Sequence, residues 1–382
     1  MDTPGLFTPC RIRELELRNR IVLSPMLTYC ATGGHVNDFH FMHYGKFAAG
    51  GAGLVFIEST KVDPRGCSTP RDLGLWKDDF VEPFKKITQF IKSQGAVPGI
   101  QISHSGRKAR RSVPWEGRVP MDSCPGVDHG EDWELIGPSA IPHAPGYPMP
   151  RAMTAEDIRQ SLADWESAAR RALLAGFEVL EIHGAHGYLI HQFLSAQANH
   201  RTDEYGGTFD NRLRFAVEVA RSVRRAWPAG NPLFFRMSAT DDAGWTLEHS
   251  TALAQALRAA GVDVIDCSAG GMTEGAVADL APGYGYQVKY AEHVRRHAAI
   301  GTMAVGLIVH PDQADAIIRS GQADLVALGR ELLHNPHWPL DAAQKLGATR
   351  FNHIPKGYAF FLEKRATSRE VRPSTWQKGL KG

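Results

Sequence analysis

Within the stretch EIHGAHGYLIHQFLS, residues 181–195, lie His183, His186, Tyr188 and His191. Three imidazoles and a phenol this close together can hold a metal, polarise an oxygen, or simply fill space. A zinc-protease pattern sets two histidines four apart on a helix with a glutamate between them. Here the first pair is three apart, His183 ends a strand-like run, and Gly184 and Gly187 argue against a regular helix. No carboxylate stands where a third ligand would be needed, so the reading is no metal. In a second reading His183 and His186, both neutral, donate hydrogen bonds to one oxygen that gains negative charge during a reaction. Tyr188 is then an acid able to protonate a carbon. Core histidines satisfied by backbone are the ordinary reading of a single histidine and a less natural one for three polar groups at a strand mouth. His191 is read as structural.

The elements that must position these groups follow from hydrophobic period. Short apolar runs fall at 21–26 (IVLSPM), 53–59, 97–103, 179–183, 232–238, 262–268, 302–307 and 324–329. Amphipathic helical patterns lie at 39–50, 80–94, 154–176, 209–226, 246–260, 287–299 and 311–320, with a last one from 330. Thr154 with Asp157 reads as a capping box, Gly95 and Gly261 follow helices, and Pro311 opens one. Strand and helix alternate eight times with no sign of two half-folds, which predicts an α/β chain folded as a (β/α)8 TIM barrel.

Residues 1–350 are expected to form this single barrel domain. The Pro- and Gly-rich segment 106–153 is too long for a barrel loop and reads as a lid or subdomain inserted after strand 3. Residues 351–382 form a polar, basic tail whose last ten or so positions read as partly disordered. The 43 Lys and Arg against 41 Asp and Glu leave no basic footprint for nucleic acid. The basic run RKARR, 107–111, is read as a solvated loop or a phosphate contact. No apolar run reaches the roughly 20 residues that cross a bilayer. The five cysteines form no CxxC pair and fit free thiols in a reducing compartment, so a cytoplasmic protein is expected.

In a barrel, the C-terminal ends of strands point into the site. Those ends carry Ser24, Pro25 and Met26; Glu58, Ser59 and Thr60; Gln101 and, beyond it, His104; His183, His186 and Tyr188; Arg236; and Ser268 and Gly270. Strands 7 and 8 end in Gly306 and Gly329, the latter followed by Arg330. Glycines that let backbone N–H groups approach, a helix start and an arginine are what barrel enzymes use to hold phosphate. Taken alone, a C-cap glycine and a surface arginine read the same way. Gln101 and Arg236 could hydrogen-bond a planar polar ring reaching inward from that phosphate.

The segments LFTPCRIRELELRNRIVLSPM, GIQISHSGRKA, EIHGAHGYLIHQFLSAQANHRTDEYGGTFDNRLRF and the run from AVGLI to ALGRELLHNPHWP resemble the Old Yellow Enzyme family over about residues 6–345. The SPM triplet and the inserted region favour its thermophilic-like or xenobiotic-reductase branch. The resemblance implies FMN at the barrel mouth, contacted by Ser24, Pro25, Met26, Ser59, Gln101, Arg236, Gly306, Gly329 and Arg330. It implies His183 and His186 as a clamp on a substrate carbonyl, Tyr188 as proton donor and Tyr29 as an aromatic wall of the substrate pocket. The activity implied is transfer of hydride from NADPH or NADH through the flavin to the activated C=C of an α,β-unsaturated carbonyl compound. Small-molecule substrates and a homodimer or homotetramer belong to the same expectation, with residues near the C-terminus able to reach a neighbour's pocket.

Leu27 departs from the family, which usually has a cysteine or threonine after SPM that hydrogen-bonds the flavin. Cys67 and Ala196 replace a common arginine and proline and read as drift. Leu27 leaves room for a dehydrogenase or demethylase of the same superfamily. Dienoyl-CoA reduction is disfavoured, because that branch carries an iron–sulfur domain with clustered cysteines. A non-redox phosphate-binding barrel enzyme would need a Schiff-base lysine or metal ligands, and Lys61, beyond strand 2, has no evident partner in the sequence. A non-catalytic binding protein would carry no chromophore.

Overall fold

The computed structural model describes residues 3–121, 133–273, 283–348 and 351–367. Eight parallel strands close into a barrel: β1 (Ile21–Leu23), β2 (Leu54–Lys61), β3 (Val97–Ser103), β4 (Val179–Gly184), β5 (Leu233–Ser238), β6 (Val264–Ser268), β7 (Gly301–Ala304) and β8 (Leu325–Leu328). Closure is made by β8 on β1, where Val326 pairs with Ile21. The expected (β/α)8 architecture is therefore the observed one. Strand β1 stops at Leu23, short of the expected residue 26. Pro25 has no N–H to give a neighbour, so the chain leaves the sheet there.

The barrel helices are α1 (Asp38–Ala49), α2 (Val81–Ser93), α3 (Ala155–Leu174), α4 (Phe209–Ala226), α5 (Leu247–Ala259), α6 (Val288–Ala298), α7 (Pro311–Arg319), α8 (Arg330–His334) and α9 (Trp338–Leu346). Thr154 caps α3 by accepting from the Asp157 N–H while the Asp157 carboxylate accepts from the Thr154 N–H, the reciprocal pairing that its sequence suggested. Proline opens α7 at its first position. A further helix, Lys356–Ala366, was not expected from the sequence and lies within the tail.

The interior is layered because side chains alternate along every strand. Near the N-terminal end Val22, Leu54, Phe56, Val97, Val179, Phe234 and Val264 form an apolar plug with Cys10 and Leu17 of an antiparallel hairpin, Cys10–Ile12 with Leu15–Leu17. The next layer along these strands holds Gln101, Glu181, Arg236 and Asp266, all buried. Two residues further, Ser103, His183, Ser238 and Ser268 reach the mouth. Register sets Glu181 beside Gln101, His183 beside Arg236 and Arg236 beside Asp266. The register shifts between Ile57 and Thr60 in β2, which re-aims Glu58 and Ser59.

Within segment 106–153, Ile136–Gly137 pairs with Arg151–Ala152 and Ile136 enters the core. Cys10, Cys30, Cys67 and Cys267 are free thiols, while Cys124 lies outside the described residues, as do the last ten positions of the tail. Among the described residues no helix is long and apolar enough to cross a membrane.

Candidate active site

The mouth holds two cavities that share His186. The first, about 370 Å³, runs from the barrel centre to the ends of β7 and β8 and is lined by Ser24, Pro25, Met26, Arg236, Gly306, Gly329 and Arg330 among others. The second, about 480 Å³, is lined by Leu27, Tyr29, Ser68, Lys108, Arg111, Arg118 and Tyr188 among others. Both fall in the size range of small-molecule sites.

His186 lines both cavities and Tyr188 the second, while His183 is buried against their rings and lines neither. His183 ends β4 inside the barrel, with its ring centroid 5.1 Å from that of His186 and 4.9 Å from that of Tyr188, the latter edge-on at 85°. His183 Nδ1 is buried without a partner, and His186 Nε2 sits 2.7 Å from Ser268 Oγ. Desolvation holds both imidazoles well below the usual histidine range, helped in each case by the Arg236 charge. Both are therefore neutral at neutral pH. His191 has the structural place expected of it: Nδ1 accepts from the Gly187 N–H and Nε2 lies 3.1 Å from Asp241. Among the described residues no metal-binding cluster of His, Cys, Asp and Glu occurs.

The loop carrying the clamp is fixed by main chain. Gly187 has φ +72°, and a Cβ there would stand 2.4 Å from the Gly271 carbonyl oxygen. Conversely, a Cβ on Gly271 would meet His186 Cα at 2.7 Å. Only glycines allow the loops after β4 and β6 to touch this closely. Lys108 Nζ ties them by donating to the carbonyls of both His186 and Gly271. Burial and the neighbouring Arg111 and Arg107 charges push this lysine down to about 7.

Tyr188 and the loop after β1 complete the second cavity. The Tyr188 hydroxyl lies 3.4 Å from Ser68 Oγ, which donates to Asp72 at 2.8 Å. Lys61, without evident partner in the sequence, is fully buried in β2 and well partnered. Its Nζ donates to Ser59 Oγ at 2.9 Å and Ser103 Oγ at 3.0 Å, lies 3.5 Å from Asp72, and stands 5.1 Å from the Tyr188 ring centre. Tyr29 meets Trp115 edge-on at 5.8 Å, and its hydroxyl is raised by burial and then by Tyr188 and Asp72. Glu58 anchors this loop by accepting from the Thr28 N–H and hydroxyl, both at 2.6 Å, and from the Tyr44 hydroxyl of α1 at 3.0 Å.

Two expected flavin contacts, Ser59 and Gln101, do not line the first cavity. Ser59 faces Ser103 and Lys61, and Gln101 donates to Glu181 at 2.7 Å. The sequence reading passed over Glu181 and Asp266, the acids that organise this floor. Asp266 pairs with Arg236 at 3.1 Å, and Arg236 also donates to Ser24 Oγ. Burial and the Asp266 charge raise Glu181 well above the usual carboxylate range. A lone acid two residues before His183 on an apolar strand was the available signal.

The first cavity suits FMN. Arg236 Nε is buried without a partner, and the Arg330 side chain makes no hydrogen bond or ion pair among the described residues. The lack of a side chain matters at both glycines: a Cβ would meet Gln287 and Tyr286 at 3.1 Å from Gly306, and Met26 Sδ at 3.1 Å from Gly329. Gly306, Gly329 and Arg330 would hold the phosphate; Ser24, Pro25, Met26 and Arg236 would hold the ring.

Residues 5–348 match the NADH:flavin oxidoreductase / NADH oxidase family. The chain is 43% identical over 348 residues to an NADPH dehydrogenase of Geobacillus sp. (strain WCH70), covering 90% of this chain and 95% of that one. It is 41% identical to an NADPH dehydrogenase of Bacillus velezensis (strain DSM 23117 / BGSC 10A6 / LMG 26770 / FZB42), covering 89% and 95%. Among solved structures, morphinone reductase superposes with TM-score 0.75 at 26% identity, covering 91% of each chain. A 2-naphthoyl-CoA reductase solved with 2-naphthoyl-CoA gives 0.78 at 25% identity, covering 89% of this chain, which spans about half (52%) of that one. The matched span, these relatives and the shared barrel together show that the chain belongs to the NADH:flavin oxidoreductase / NADH oxidase family, that of Old Yellow Enzyme, and is an FMN-dependent NAD(P)H oxidoreductase.

Proposed function

We propose that the enzyme reduces the activated C=C bond of α,β-unsaturated carbonyl compounds, with Tyr188 as the proton donor. The carrying observation is a cluster of two neutral imidazoles and one phenol, with centroids 5.1 and 4.9 Å from the central His183, gathered at the His186 that both cavities share. FMN, when bound, supplies the hydride chemistry that links NAD(P)H to the substrate. His183 offers a buried, unpaired ring nitrogen to the substrate carbonyl oxygen. If His186 accepts the Ser268 hydroxyl proton through Nε2, a neutral His186 carries its own proton on Nδ1 and donates it to the same oxygen. Both bonds strengthen as enolate charge builds on that oxygen, so they stabilise the transition state more than the ground state. Tyr188 then protonates Cα, backed by Ser68 and Asp72.

The experiment is anaerobic. Enzyme reduced with one equivalent of NADPH is mixed with 2-cyclohexen-1-one, and flavin absorbance and product are followed together. Saturated ketone should form in step with flavin reoxidation, with deuterium from labelled NADPH at Cβ and from D2O at Cα. A reduced flavin left untouched by enones would sink the reading and favour dehydrogenation or demethylation on this framework.

A further inference from the structure

The second cavity is lined by the reaction residues His186 and Tyr188 and by Lys108, Arg111 and Arg118, with no carboxylate among the described lining residues. The three cations are not equivalent. Lys108 is spent on the carbonyls of His186 and Gly271. Arg111 gives only its Nε–H, to the Lys108 carbonyl at 3.1 Å, and its terminal nitrogens have no partner among the described residues. The Arg118 side chain makes no hydrogen bond or ion pair among them. Carboxylates that act on the cavity from behind its wall are already engaged. Asp72 accepts from Ser68 and Thr69, and Asp242 accepts from the Thr273 N–H at 3.1 Å. Glu116, on the same loop as Arg118, lies 4.0 Å from Arg71. Two guanidinium groups thus line a cleft with their terminal nitrogens unspent among the described residues, and such a fork matches the paired oxygens of a carboxylate or phosphate.

We propose that Arg111 and Arg118 form an anion subsite, so that the oxidising substrate set against His183, His186 and Tyr188 carries a carboxylate or phosphate group beyond its reacting double bond. This rests on the alkene-reduction reading and narrows it from enones at large to acidic ones. Tyr29, its ring met edge-on by Trp115, supplies an aromatic wall in the same cavity for the carbon skeleton between the two ends.

The test is a binding titration on the oxidised, FMN-loaded full chain, read from the flavin absorbance. The probes are 4-(3-oxobut-1-enyl)benzoate, its methyl ester, and 4-(3-oxobut-1-enyl)phenyl phosphate. At low salt at least one acid should bind about tenfold more tightly than the ester, the scale of one charge-assisted hydrogen bond. Whichever acid binds more tightly names the group. The preference should shrink as ionic strength rises from about 0.01 to 0.5 M and collapse towards one in Arg111→Gln/Arg118→Gln. The parent's own acid-to-ester ratio and salt dependence decide the matter even if that variant fails to hold FMN. Equal binding of acid and ester, a ratio that survives in the variant, or a change confined to NADPH over NADH discrimination would overturn the subsite. Because binding needs no turnover, an acid preference without alkene reduction refutes only the reduction reading. Reduction without a preference refutes only the subsite.

Discussion

Replacing Tyr188 by phenylalanine removes one oxygen atom, and its consequences can be worked out from the surroundings of that atom. The hydroxyl's hydrogen-bond partner is Ser68 Oγ at 3.4 Å, and Ser68 keeps Asp72 at 2.8 Å and Ser105 at 3.1 Å without it. No buried polar group is orphaned, and the ring keeps its edge contact with His183 and its place under Lys61. Loss of one long hydrogen bond should cost no more than about 1 kcal/mol of stability, so Tm and FMN retention are expected to stay near the parent values. The rate effect is of another size. A positioned general acid is worth roughly 10²–10⁴-fold, or about 3–5 kcal/mol of barrier at 1.36 kcal/mol per decade. Anaerobic stopped-flow separates the two halves of the cycle. Reduction by NADPH requires no proton from Tyr188 and should stay within about twofold of the parent, while reoxidation by enone should slow by the full general-acid factor. Equal slowing of both halves, or reoxidation at the parent rate, would refute the assignment.

Leu27 lines the second cavity beside Tyr29 and cannot donate a hydrogen bond; Leu27→Cys should therefore raise the flavin midpoint potential in a spectroelectrochemical titration, and an unchanged or lower potential would count against the contact. Glu58, raised to about 7 mainly by burial, binds its proton more tightly in the folded chain than in the unfolded one. Its stabilising contribution is complete below about pH 4.5 and is lost as pH rises through about 7. Glutamine is neutral throughout, so the stability of Glu58→Gln relative to the parent should climb between pH 5 and 8, by up to about 3 kcal/mol. A flat or falling difference would show that this carboxyl does not titrate in that window.

The barrel was legible because its signals are local: short apolar runs, capping pairs such as Thr154 with Asp157, and Pro311 at a helix start all act within a few residues. His183, His186 and Tyr188 were legible for the same reason, being packed into one strand end. What escaped needed closure of the fold. Glu181 and Asp266 each look like an odd acid in an apolar strand until β4, β5 and β6 bring both to Arg236. Lys61 acquires its partners only when β2 and β3 lie side by side and the following turn returns Asp72. RKARR read equally as a solvated loop or a phosphate contact and Arg118 gave no signal of its own; only the packing of the segment after β3 brings Arg111 and Arg118 into the cavity of Tyr188.

The contact of Gly187 with Gly271 bears on how this chain can change over evolutionary time. One side of the substrate cleft is main chain against main chain, clasped by Lys108, and a single added carbon on either glycine forces the loops apart. The opposite side is built of side chains on the segments after β1 and β3, among them Leu27, Tyr29, Arg111 and Arg118. On the proposed function, substitutions at these four side chains should alter what is recognised without moving His186 and Tyr188. Such a division lets lineages diverge in diet while inheriting one reaction, and it tells an engineer which half of the cleft to randomise.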